Sequence, residues 1–84
     1  MNLSDRADAV ASREDFVSFV RALAQSLDRC PGDWENRELK PYLEAIAAWT
    51  NDMEGYYRNL GQPIPMAPTW KLFAQILTAA TVYE

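Results

Sequence analysis

Carboxylates are the residues of this chain whose types and spacing could support acid–base chemistry, because its 84 residues include no histidine. A glycosidase-type pair needs two carboxyl groups that converge on one bond. Asp52 and Glu54 are two residues apart, so on a helix they point to different sides. Glu44 and Asp52 lie nearly on one helix face, but about 12 Å apart along its axis. We therefore predict no catalytic site, and we expect the protein not to be an enzyme.

Other kinds of reactive site have equally little support in the sequence. Histidine ligands are absent and no segment has the spacing of a calcium loop, so we predict no metal site and no cofactor. The single cysteine, Cys30, follows a predicted helix, whose negative C-terminal end disfavours the thiolate form of a nucleophile. We interpret Cys30 as a small apolar filler. One cysteine cannot form an internal disulfide, which suits a reducing cytoplasm.

The net charge of −4 narrows the classes of partner. Nucleic acids and anionic membranes attract basic proteins, so we expect neither as a partner. The first eleven residues lack a signal-peptide core, and no run approaches the roughly 18 apolar residues of a membrane span. Negative charge is concentrated in residues 31–62, which hold six acids and three bases. This acidic segment is either an ordinary solvated surface or a face for a basic protein.

Hydrophobic periodicity predicts two long helices in the first two thirds of the chain. The first covers Arg13–Arg29, with Ser12 as its N-cap. The second covers Leu39–Asn59, and Pro41 fits its first turn, where a missing N–H needs no partner. We expect Gly55, inside this helix, to mark close packing against another backbone. The predicted inward-facing residues are Phe16, Val20, Leu23 and Leu27 in the first helix, and Leu39, Tyr42, Leu43, Ile46, Trp49, Met53, Tyr56 and Leu60 in the second.

Three prolines within residues 62–68 predict a stiff, extended strap after the second helix. A third helix follows over residues 70–83. It is apolar most of the way round, so we expect it to be the most buried element, with some surface left for a second copy or a partner. The polar residues that mark its solvent-facing side are Lys71, Gln75 and Thr78.

These elements predict an all-α fold, a small three-helix bundle with a proline-rich strap between the second and third helices. Residues 1–11 are predicted to form a flexible N-terminal arm, and residues 12–84 a single helical domain.

Acids of the middle segment and the aromatic residues beside them are the candidates for binding a partner, because Trp and Tyr are enriched in binding hot spots. Tryptophans in so small a domain are more often core residues. Tyr56 and Tyr57 are about 100° apart on a helix, so at most one of them faces the core. The candidate partner-binding residues are Trp34, Glu35, Asp52, Glu54 and Tyr57.

Six short motifs run through the chain from residue 34 onward. They are W-E-N-R at 34–37, Y-L-E-A-I-A-A-W at 42–49, D-M-E-G-Y-Y at 52–57, G-Q-P-I-P at 61–65, P-T-W-K at 68–71 and A-A-T-V-Y-E at 79–84. Together they resemble a family of short bacterial proteins of unknown function. The resemblance implies a free-standing cytoplasmic domain, and it implies neither an activity nor any site residues.

The function that we predict is that of a non-enzymatic protein-binding module, which uses its acidic segment against a basic protein partner. Its size and charge are similar to those of immunity-type inhibitors, which is an analogy and not a shared motif. The alternative is a small structural homo-oligomer, such as a homodimer, that assembles through the apolar third helix.

Overall fold

The computed structural model describes residues 2–83, and within them the chain is helical with no β-strand. The all-α fold is therefore confirmed, as are the three long helices and the irregular proline-rich segment before the last one. A single 3-10 turn, Pro31–Asp33, follows the first long helix. The four α-helices are α1 (Leu3–Asp8), α2 (Arg13–Arg29), α3 (Leu39–Asn59) and α4 (Trp70–Ala80).

The ends of the long helices lie where capping residues place them. Ser12 Oγ accepts a hydrogen bond from the Asp15 N–H at 3.1 Å and begins α2. Thr69 Oγ1 accepts from the Leu72 N–H at 3.0 Å and begins α4. Gly61 follows the end of α3 with a φ of 66°, a left-handed conformation that glycine adopts without steric cost.

Helix α4 is the centre of the fold, because it lies against α1, α2 and α3. Within residues 2–83, α2 and α3 do not approach each other closely, so the long helices form two pairs that share α4. One apolar cluster joins α1, α2 and α4 around Phe19 and Ala74. A second cluster joins α3 and α4 around Trp49, Tyr57 and Leu72. The proline-rich segment thus leads the chain from the end of α3 back to α4, which lies between α2 and α3.

Helix α1 lies in the segment for which we predicted a flexible arm, and for residues 3–10 that prediction is wrong. The Asn2 side chain caps the helix by accepting from the Asp5 N–H at 2.9 Å. Ala7 is 1% exposed, and Val10 is also buried. The segment has only a few small apolar residues, so its pattern alone does not predict a helix. Met1, the first residue of the predicted arm, lies outside the described residues.

Burial along α2 and α3 differs from the predicted stripes. In α2 the buried residues are Phe19 and Leu23, whereas Val20 is exposed. At 1.5 Å per residue, the 21 residues of α3 span about 32 Å and the 11 residues of α4 only about 17 Å, so α4 cannot cover the whole of α3. The predicted inward-facing residues of α3 that are instead exposed are Leu39, Leu43, Tyr56 and Leu60.

Two smaller predictions are also wrong. A Cβ atom added at Gly55 would meet no heavy atom within 4 Å, so this glycine is not a point of close packing. Cys30 is exposed at the C-terminal end of α2, so it does not fill the core.

Candidate functional site

The five predicted partner-binding residues fall into two groups in the structure. Trp34 is 6% exposed and Tyr57 is 3% exposed, so neither presents its ring to a partner. Glu35, Asp52 and Glu54 are exposed. The predicted combination of an acid with an exposed Trp34 or Tyr57 is therefore wrong, because both aromatic side chains are core residues.

Trp34 is held in the core by a polar and an aromatic contact. Its indole N–H donates to Ser26 Oγ at 3.0 Å, and its ring lies 5.5 Å from that of Tyr42. The Tyr42 hydroxyl in turn donates to the Leu77 carbonyl oxygen at 2.9 Å. Burial raises the pKa of Tyr42 to about 12. Trp34 therefore joins α2, α3 and α4.

The connector, residues 34–37, also closes the C-terminal end of α4. The backbone N–H groups of Glu35 and Asn36 both donate to the Thr81 carbonyl oxygen at 2.9 Å. Asn36 Nδ2 donates to the carbonyl oxygens of Ala80 and Tyr83 at 2.9 and 2.7 Å. The last carbonyl oxygens of a helix lack intrahelical hydrogen-bond donors, and here the connector supplies the donors. Helix α4 accordingly ends at Ala80, short of the predicted residue 83.

Tyr57 belongs to a hydrogen-bond chain that crosses three helices. Its hydroxyl donates to Gln75 Oε1 at 2.6 Å, and Gln75 Nε2 donates to Asp8 Oδ1 at 2.9 Å. Burial raises the pKa of Tyr57, and the neighbouring Tyr56 and Asp8 raise it further. Gln75 is half-buried, so the face of α4 that we predicted to be wet is covered here by α1 and α3. The prediction that only one of the paired tyrosines faces the core is confirmed, since Tyr56 remains exposed.

The exposed acids of α3 do not converge on a common point. Asp52 accepts a hydrogen bond from the Tyr83 hydroxyl, and this bond raises the pKa of Tyr83, with smaller effects of burial and of the Asp52 charge. Glu54 pairs with Arg58 at 3.1 Å across one helical turn, an exposed ion pair that contributes little to stability. Residues 2–83 hold no group of three or more acidic or sulfur side chains arranged to bind a metal ion.

An aromatic surface patch, defined here as Phe16, Trp70 and Phe73, lies where α2 meets the start of α4. The ring centroids of Phe16 lie 5.5 Å from Trp70 and 6.3 Å from Phe73, and those of Trp70 and Phe73 are 6.0 Å apart. Trp70 is 39% exposed and Phe73 is 41% exposed.

The sequence pattern assigned Phe16 to the buried stripe of the first helix, so it missed the patch as a surface. The signal that could have found it is the excess of apolar residues around the third helix, which the other helices cannot all cover.

A second feature is a pocket between α1, α3 and α4, with a volume of about 160 Å³. Its aromatic walls are Trp49 and Tyr56, whose rings are 5.4 Å apart and inclined at 62°. Its polar residues are Asp8, Gln75, Ser4 and Thr78, and the rest of the lining comes from Ala7, Ala79 and Val82. We call it the three-helix pocket.

Comparison with known proteins gives one positive result. The model of the DUF7660 family, a family of unknown function, matches residues 12–84. Searches of curated proteins and of solved structures gave no match. Within residues 2–83, no helix has both the length and the apolar character needed to cross a membrane. The family match covers all three long helices and the connector between the first two, so the chain belongs to the DUF7660 family of unknown function.

Proposed function

We propose that this protein is a protein-binding module whose contact surface is the aromatic surface patch. The observation that carries the proposal is the exposure of Trp70 and Phe73, which keep about two fifths of their surface in contact with solvent while they contact Phe16. Clustered aromatic side chains of this kind are typical of binding hot spots. The sequence also predicted a protein-binding module, but it assigned Trp34 and Tyr57 to the contact surface in place of Trp70 and Phe73.

The size of the patch favours a different protein over a second copy as its occupant. An aromatic side chain buries about 150–250 Å² when it is covered, so Trp70 and Phe73 together present on the order of 150–200 Å². Phe16 is less exposed than either of them and adds little. Each protomer of an obligate homodimer buries about 1,000 Å² or more, whereas a transient contact with a different protein buries less than about 600 Å² on each side. The patch therefore suits the apolar centre of a small interface and falls short of a self-sufficient dimer face.

Net charge supports a basic partner. A protein with a net charge of −4 attracts a basic protein over distances of about 10 Å, and the exposed Glu35, Asp52 and Glu54 contribute to this attraction. In this proposal the acids accelerate encounter, and the aromatic patch provides the contact. We further propose that the protein inhibits such a partner in the cytoplasm of a bacterium.

A photo-crosslinking experiment tests which surface binds. A benzophenone amino acid at position 73 places the reactive group in the patch, and the same amino acid at position 54 places it on the acidic face of α3. We expect a crosslinked species of defined mass from position 73 in the cells that make the protein. The variant Trp70→Ala should reduce its yield at least about fivefold, since hot-spot residues contribute about 1–2 kcal/mol or more.

The control for that experiment is Leu39→Ala, which removes an apolar side chain that is 72% exposed outside the patch and should leave the yield unchanged. Crosslinking from position 54 alone would transfer the binding surface to the acidic segment. A product with twice the mass of the chain would favour the homodimer instead. No product from either position would contradict a protein-binding function.

A further inference from the structure

We propose that the three-helix pocket binds a small alkylammonium cation. This inference does not depend on the proposed protein-binding function, since none of the residues of the aromatic surface patch lines the pocket. The pocket combines aromatic walls, one carboxylate and a limited volume, and each of these properties restricts the chemistry of the ligand.

The aromatic walls favour a cation with an apolar surface. Trp49 and Tyr56 both line the pocket, and their rings are in contact with each other at an angle of 62°. The faces of aromatic rings carry partial negative charge and attract alkylated ammonium groups, which lose little hydration when they bind there. Two inclined aromatic walls beside a carboxylate are the arrangement by which proteins bind such groups.

Charge distinguishes a cation from a neutral ligand of the same shape. Asp8 is the one charged residue in the pocket lining, and no lysine or arginine of the described chain lines it. One oxygen of Asp8 accepts from Gln75, which fixes the carboxylate, and no ion pair to Asp8 occurs among residues 2–83. Asp52 lies one helical turn before Tyr56 and adds negative charge on the same side of α3.

The volume matches a group of a few non-hydrogen atoms. A cavity of about 150 Å³ accommodates benzene, and the three-helix pocket measures about 160 Å³. Choline, with seven non-hydrogen atoms, is of this size, and its neutral analogue 3,3-dimethylbutan-1-ol has a carbon atom in place of the nitrogen. Ligands this small bind with about millimolar dissociation constants, because they have few atoms that contact the protein.

The test is a titration of the full-length, ¹⁵N-labelled protein with choline and, separately, with 3,3-dimethylbutan-1-ol. Binding should shift the indole N–H resonance of Trp49 in a saturable way and leave those of Trp34 and Trp70 in place. We expect choline to bind about three- to tenfold more tightly than the neutral alcohol.

Two variants assign that preference to the pocket. Asp8→Asn removes the charge and keeps an oxygen that can accept from Gln75, so it should weaken choline binding about three- to tenfold and leave the neutral alcohol unaffected. Tyr56→Leu removes one aromatic wall at an exposed position and should also weaken choline binding. The matched control is Asp28→Asn, which removes an exposed charge on α2 outside the pocket.

Three results would overturn the inference. Equal binding of choline and the neutral alcohol would reduce the pocket to an apolar cavity. Shifts at Trp70 in place of Trp49 would put the ligand on the aromatic surface patch. Absence of any saturable shift up to about 100 mM choline would show that the pocket does not bind this class of ligand.

Discussion

Single residues of the helices and of the connector, residues 34–37, hold the elements together by contacts that differ in kind from one position to the next. Trp34, Asn36 and Tyr57 combine burial with hydrogen bonds to a helix other than their own segment, so each of them connects two elements of the fold. Buried polar groups need such partners, because an unpaired buried donor or acceptor costs about 1–3 kcal/mol. In the described part of the chain, no fully buried side-chain nitrogen or oxygen lacks a partner.

Two glycines at and near the end of α3 should respond to alanine with opposite signs. Gly55 lies inside the helix with open space around it, so Gly55→Ala should raise the free energy of unfolding by about 1 kcal/mol. Gly61 has a φ of 66°, so Gly61→Ala should lower it by about 1–2 kcal/mol. Urea unfolding followed by circular dichroism measures both changes. Destabilisation by Gly55→Ala would mean that a neighbouring group occupies the space beside this glycine.

Tyr42 should make stability fall at alkaline pH. Its pKa is raised from 10 to about 12 in the folded state, so unfolded chains release the phenol proton first as pH rises. The contribution of Tyr42 is therefore fully present below pH 10 and is lost between pH 10 and about 12. Tyr57 and Tyr83, whose pKa values are also raised, act in the same direction.

The variant Tyr42→Phe isolates this effect, because it keeps the ring and removes the titrating group. The difference in unfolding free energy between the natural chain and the variant should be constant from pH 8 to 10 and should shrink above pH 10. Urea titrations at several pH values measure it. A difference that stays constant up to pH 12 would contradict the assignment to Tyr42.

At the scale of elements, α4 depends on its neighbours in two ways. They cover its polar face, and they donate hydrogen bonds to the carbonyl groups at its C-terminal end. Helix α1 covers the face that carries Gln75, and the connector supplies donors to the carbonyls at the C-terminal end. The connector motif at residues 34–37, which we considered for partner binding, thus has a structural role. Its tryptophan and asparagine are satisfied within the fold, which leaves the start of α4 as the exposed apolar part.

The packing of residues 3–10, which comprise α1 and the two residues after it, predicts that the apolar residues of this segment contribute to stability. Val10 is 5% exposed, so Val10→Ala should lower the free energy of unfolding by about 1–2 kcal/mol. The same substitution at the exposed Val17 should cost nothing, because alanine is the better helix former there. Equal effects of the two substitutions on urea unfolding would contradict the packing of residues 3–10 and would support the predicted flexible arm.

At the scale of the whole molecule, one central helix with different neighbours on its faces produces two surfaces with different chemistry. The aromatic surface patch lies at the start of α4, where α2 covers only part of it, and it suits a protein contact. The three-helix pocket lies where α1 and α3 flank the later part of α4, and it is a partly open pocket with aromatic walls and one carboxylate. We therefore expect that a substitution that abolishes ligand binding in the pocket leaves protein binding at the patch unaffected. A substitution in the patch should likewise leave ligand binding unaffected.

The sequence by itself determined the features that local interactions control. Ser12, Pro41, Gly61 and Thr69 place the starts and ends of the long helices, because caps, prolines and left-handed glycines act within a few residues. The all-α class follows from the same local patterns. The tertiary structure alone decided which apolar residues are buried, since Val20, Trp70 and Tyr56 fit a helical stripe as well as Phe19 does. Burial depends on the lengths and positions of the helices that pack together, and both the exposed patch and the pocket with Asp8 arise from that packing.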